Sequence, residues 1–169
     1  MGEKNLIEKT AFAAKVHQFW QRFLKNNPDL PTDFAYEEPW AFGNSAEMAD
    51  DLAQLVLAGK KTATTSAAEL YTLENEPLPK AGTYSILLNG RQEPCGVIYT
   101  ETVVVRPFNE VSAAFAYMEG EGDRSLSYWR AEHEAYFKAA YQGTGLSFHQ
   151  QIPCVCETFR CVYQETDQI

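Results

Sequence analysis

The sequence has no apolar run near the roughly 18–20 residues a membrane span needs. Its first residues, Met1 to Lys9, are polar and charged, so no signal peptide is visible, and the expectation is a soluble cytoplasmic protein. Cations are scarce: 14 Lys and Arg against 23 Asp and Glu leave a net charge of −9. A chain of that sign repels polyanions at long range, which disfavours general affinity for duplex DNA or bulk RNA. A small ligand, or a nucleotide met at a local basic pocket, survives the exclusion. There is no Gly-rich phosphate loop, dinucleotide-binding fingerprint, Ser-His-Asp order, internal repeat or low-complexity tract. Only four cysteines occur, Cys95, Cys154, Cys156 and Cys161. The C-x-C pair has no matching partner and His149 stands at no recognisable ligand spacing, so a zinc site is disfavoured. The thiols read as reduced, buried, small apolar groups.

What is present is a core. Apolar residues make up 45% of 169, and a chain of this length buries about 70% of its unfolded surface. Ala11 to Asn26 reads as a helix with Phe12, Val16, Phe19, Trp20 and Phe23 on its apolar stripe, ended by Pro28 and Pro31. Phe34, Tyr36, Trp40 and Phe42 form an aromatic segment, either core or a stacking wall for a base. Asn44 to Ala58 is a second helix carrying Met48, Leu52, Leu55 and Val56, with Gly59 where a left-handed residue ends it. Ala67 to Leu73 and Asn109 to Met118 read as short helices, and Ser125 to Tyr141 as a longer one. Strands are expected at Thr83 to Leu88, at Cys95 to Val105 after the Asn89-Gly90 hairpin signal, and from Pro153 to Tyr163. Strands and helices mix without a βαβ rhythm, which points to α+β with a small, largely antiparallel sheet or barrel.

Three groups of residues carry candidate chemistry. Gly59 to Ser66 places Lys60 and Lys61 beside Thr62, Thr64, Thr65 and Ser66. A lysine amine beside a hydroxyl can act as its base. In an extended chain Thr62, Thr64 and Ser66 share a face and Lys61 points away, so a Lys61–Thr64 pair requires a turn. Glu119, Glu121 and Asp123 alternate with Gly120 and Gly122, whose flexibility lets one carboxylate face inward. An EF-hand is rejected, because its sixth and twelfth places hold Arg124 and Arg130. A single Mg²⁺ on two of the three carboxylates has no support in the pattern. On the last helix Arg130 and His133 stand three apart, and His133 aligns with Trp129 and Phe137. On the long second strand Glu101 falls on an otherwise apolar side with Val97, Tyr99, Val103 and Val105. It is either paired within the protein or set at a pocket.

Gly59-x-Lys61-x-x-Thr64-x-Ser66 resembles the G-x-K-x-x-T-x-R signature of the ASCH domain, and the likeness extends over roughly residues 36 to 163. The resemblance implies a PUA-like β-barrel flanked by helices, with residues 1–33 as an N-terminal helical extension and 34–169 as the domain. It implies either amide hydrolysis of the N4-acetylcytidine kind or RNA binding, with weak single-strand ribonuclease activity as a variant. By motif, Lys61, Thr64 and Glu121 are the catalytic set, and Glu119 and Glu101 are the alternatives for the carboxylate. Thr62, Ser66, Trp40, Phe42, Glu119, Trp129, Arg130 and His133 are the expected substrate contacts. Ser66 replaces the signature's arginine. No metal or organic cofactor is called for. The expected partner is a small nucleoside-like ligand or single-stranded RNA.

Overall fold

Apolar periodicity sets a helix at Ala11 to Asn26, and helix α1 covers it, running Gly2–Asn26. The structure, a computed structural model, describes residues 2–165. After α1 come β1 (Glu37–Trp40), α2 (Ala46–Leu57), β2 (Ala63–Ala67), α3 (Ala68–Glu74), β3 (Tyr84–Leu88) and β4 (Pro94–Pro107). A 3-10 turn at Phe108–Glu110 leads to α4 (Ala113–Glu119), α5 (Leu126–Ala140) and β5 (Pro153–Gln164). Among the described residues no helix is long and apolar enough to cross a membrane.

The fold is mixed α+β, as the alternation of periods predicts. Five strands form one sheet in the order β1-β3-β4-β5-β2. β3 pairs antiparallel with β4 and β2 with β5, while β1 runs parallel to β3. The sheet is not closed into a full barrel: β1 and β2 are its edges. β1 is only four residues long and includes Pro39. A residue with no N–H to give fits an edge and not a closing seam.

The described chain divides into two compact units. The first comprises Met1–Leu57, Thr83–Tyr99 and Cys161–Ile169. There Val16, Phe19, Trp20, Phe23 and Leu24 of α1 pack with Ile86, Leu88 and Val97. Phe12, expected on the same stripe, is exposed. In α2 the buried line is Ala49, Ala53 and Val56, whereas Met48 is exposed. Small side chains let the helix approach closely, and the bulkier ones are left at the flanks.

The second unit comprises Ala58–Gly82 and Thr100–Arg160. Its core joins Ala63 and Ala67 of β2, Phe108, Phe115 of α4, Trp129 and Phe137 of α5, and Cys154 and Cys156 of β5. All four cysteines are free thiols. Burial pushes Cys154 up to about 12 and Cys156 up to about 11, so both stay protonated and behave as small apolar residues.

Candidate functional site

The candidate site lies in the second unit, where the chain leaving α2 meets the turn between α4 and α5. Gly59 takes a left-handed conformation, φ +69°, and ends the helix as its type predicts. Residues 60–62 then run along the end of α4. The Thr62 amide donates to the Met118 carbonyl at 2.8 Å, the Thr62 hydroxyl donates to the same oxygen at 3.3 Å, and Arg124 Nη2 donates to the Lys60 carbonyl at 2.8 Å. Gly120 makes this approach possible. Its φ is +76°, and a Cβ there would stand 2.4 Å from the Lys60 carbonyl oxygen.

That contact aims Lys61 inward. The side chain is 1% exposed, and its Nζ donates to Glu121 Oε1 at 2.6 Å and to Glu119 Oε2 at 3.3 Å. Glu119 is itself buried, at 2%. Its Oε1 accepts from the Thr65 hydroxyl at 2.5 Å and from Trp129 Nε1 at 2.8 Å, and its Oε2 stands 3.5 Å from His133 Nε2. Burial alone would raise the Glu119 carboxyl. The Lys61 ammonium, then His133 and the Thr65 hydroxyl, outweigh it and hold the group down at about 2.

His133 is fixed from three sides. Its ring stacks on Trp129 with centroids 4.2 Å apart, and Phe108 stacks on Trp129 at 5.1 Å. Its Nδ1 lies 3.0 Å from the Trp129 carbonyl, so both ring nitrogens face acceptors. The N-cap of α5 sets the helix that carries the pair: Ser125 Oγ accepts from the Tyr128 amide at 3.1 Å. A small cleft opens here, lined by Ala116, Glu119, Glu121, Tyr128, Trp129 and His133. Glu121 is the half-exposed carboxylate of the cluster, at 28%. Among the described residues no group of three or more His, Cys, Asp or Glu is arranged to hold a metal ion. Where the carboxylates converge, the Lys61 ammonium already sits.

The structure thus brings together Lys61, Glu119, Glu121, Trp129 and His133, with Thr62 bonded at the margin. It does not place Thr64 with them. Residues 63–67 form a strand and not a turn, and alternation sends Thr64 and Ser66 to the face opposite Thr65. Ser66 there bonds Tyr71, at 3.0 Å between the oxygens. Arg130 turns aside to the Asn109 carbonyl at 3.4 Å, because one residue's rotation from Trp129 carries it off the cluster side. Trp40 and Phe42 pack edge to face at 4.4 Å in the first unit. Glu101 is not the inward carboxylate: it is exposed and pairs with Arg160 at 3.0 Å. Asp123 is exposed as well and caps the Ser125 amide at 2.8 Å. Thr65 is the residue that sequence reasoning passed over. Its signal was parity with Ala63 and Ala67, small residues that suit a buried strand face.

Compared with known proteins, residues 38–163 match the family model described as the ASCH domain. A crystal structure of a protein from Enterococcus faecalis V583 is 40% identical, covers 92% of each chain and superposes with a TM-score of 0.83. The ASCH domain structure from Lactobacillus crispatus JV V101 is 26% identical, covers 89% of this chain and 96% of that one, and has a TM-score of 0.82. No curated protein matches the chain.

Proposed function

Given that the chain belongs to the ASCH domain family, we propose that it hydrolyses an acylated pyrimidine nucleoside or a similar small amide, of the N4-acetylcytidine kind. The observation that carries the reading is one buried cation shared between a buried carboxylate and a half-exposed one, beside a cleft. Glu121 is the general base. It takes a proton from a water as the oxygen attacks the carbonyl carbon, and returns that proton to the leaving amine nitrogen as the C–N bond breaks. Lys61, 2.6 Å from Glu121, stabilises the negative charge that develops. Glu119 is buried and held too low to serve as a base; it positions Lys61 and His133. Water replaces Thr64 as nucleophile because Thr64 stands on the far face of β2.

The test is release of cytidine from N4-acetylcytidine. Glu121→Gln and Lys61→Met are each expected to lower kcat by roughly 10²–10⁴-fold. Single-turnover mass spectra should show no acetylated protein, whereas an acetyl group on a threonine marks that residue as nucleophile. Full activity in both variants removes the reading.

A further inference from the structure

β4 outruns the strand beside it: it has 14 residues, Pro94–Pro107, against 5 in β3. The β3 ladder reaches Tyr99 opposite Tyr84, and a last bond joins the Gly82 amide to the Thr100 carbonyl at 2.8 Å. Beyond that rung the strand is flanked by β5 alone. The Thr102 and Thr158 hydroxyls lie 2.6 Å apart, and the Phe108 amide donates to the Ile152 carbonyl at 3.0 Å. On the far side every second residue from 101 to 106 turns its N–H and C=O to an edge that no strand or loop among the described residues pairs. So β4, an inner strand by its place in the sheet, is an edge strand over its second half.

Alternation puts Val103 and Val105 on one face of this edge, and Val104 and Arg106 on the other. Val104 and Val105 are 43% and 46% exposed, which leaves the edge open on both faces. An open apolar edge is a template for an added strand, and charges at its ends decide which strand is accepted. Glu101, at one end, is taken up by Arg160 at 3.0 Å. Arg106, at the other, is half-buried, and its Nε is shut off from water. Among the described residues it has no hydrogen bond or ion pair. A buried N–H without an acceptor is unfavourable. Where Asp and Glu outnumber Lys and Arg by 23 to 14, a guanidinium in contact with no carboxylate points to an acid from outside the chain. On an added strand, residues two apart would stand over Arg106 and Val104 together.

We propose that residues 101–106 of β4 take up an extended peptide segment as an added strand, with an Asp or Glu of that segment on Arg106 and an apolar side chain two residues away on Val104. The surface is used without the Lys61 cluster, so the proposal stands or falls apart from the hydrolytic reading.

Amide chemical-shift titration of the whole chain tests it, with the capped peptide Ac-Thr-Val-Thr-Glu-Thr-Val-Thr-NH2 as probe, whose Val and Glu side chains share one face. Saturable shifts at residues 101–106 are expected. Exchanging the peptide's Glu for Gln should weaken binding by about tenfold, the loss of one charge-assisted contact. N-methylation of the two Thr flanking that Glu, on one set of edge N–H groups, and of the Glu and both Val, on the other set, gives two control peptides; one of them should abolish binding, because one set pairs with β4. Arg106→Gln should bring the Glu and Gln peptides to within about threefold of each other, and Arg106→Glu should favour a Lys peptide over the Glu peptide. That exchange of preference is one a merely misfolded variant would not show. No saturation, full binding by both methylated peptides, or equal affinity of the Glu and Gln peptides for the wild type overturns the proposal. So do shifts at 101–106 that grow with protein concentration alone, which would make a second copy of the chain the occupant.

Discussion

Replacing Lys61 by methionine keeps most of the side-chain volume and removes the charge. Glu119 would then keep its hydrogen bonds and His133 but lose the strongest favourable charge on it. In the intact protein the Glu119 carboxyl falls from its ordinary 4.5 to about 2, which is worth about 3 kcal/mol of stability. Because the folded-state value is depressed, that contribution is fully present above pH 4.5 and is lost as pH falls towards 2. In Lys61→Met the balance inverts. Burial then raises the carboxyl, and a raised folded-state value contributes stability below the unfolded value and loses it as pH rises. Breaking one partner of a buried pair costs about 3–5 kcal/mol, or roughly 6–20 °C in Tm for a chain of this size. Urea unfolding of the wild type, Lys61→Met, Glu119→Gln and the double variant measures it. Lys61→Met should be destabilised by about 3–5 kcal/mol at pH 7, gain stability as pH is lowered from 7 to 5, and recover much of the loss when Glu119→Gln is added. A loss under about 1 kcal/mol, or a pH profile between 7 and 5 like the wild type's, refutes the buried-pair argument.

Two further outcomes follow from the same geometry. Gly120→Ala combines a left-handed φ of +76° with a Cβ 2.4 Å from the Lys60 carbonyl oxygen, so its loss in urea unfolding should exceed the about 1–2 kcal/mol of the backbone strain alone. Glu101→Ala breaks an exposed pair with Arg160 and should shift stability by less than about 1 kcal/mol; a larger effect would mean that Glu101 is structurally buried after all.

Much of this site was legible in the residues themselves. The Gly59 helix end and the glycine-flanked carboxylates depend on local backbone needs, which a sequence displays, whereas the inward turn of Lys61 depends on the approach of Lys60 to Gly120, a contact between distant parts of the chain. Strand β2 did not announce itself, because Lys60 to Ser66 has no alternation of large apolar and polar groups. It becomes a strand by pairing with β5, a contact some ninety residues away in the chain. Glu101 and Glu157 show what pattern alone cannot weigh. Both alternate with apolar residues on a strand, yet one is exposed beside Arg160 and the other is half-buried, with no ion-pair partner among the described residues. What covers each face decides, and that is a tertiary property.

The two compact units are interleaved along the chain, three segments making one and two making the other. Neither can be excised by cutting at a single point, and recombination that swaps a contiguous stretch of the gene would carry away fragments of both. Each unit must also wait for distant segments to arrive, so closure of long loops, and not helix formation, should govern how fast this protein reaches its native state.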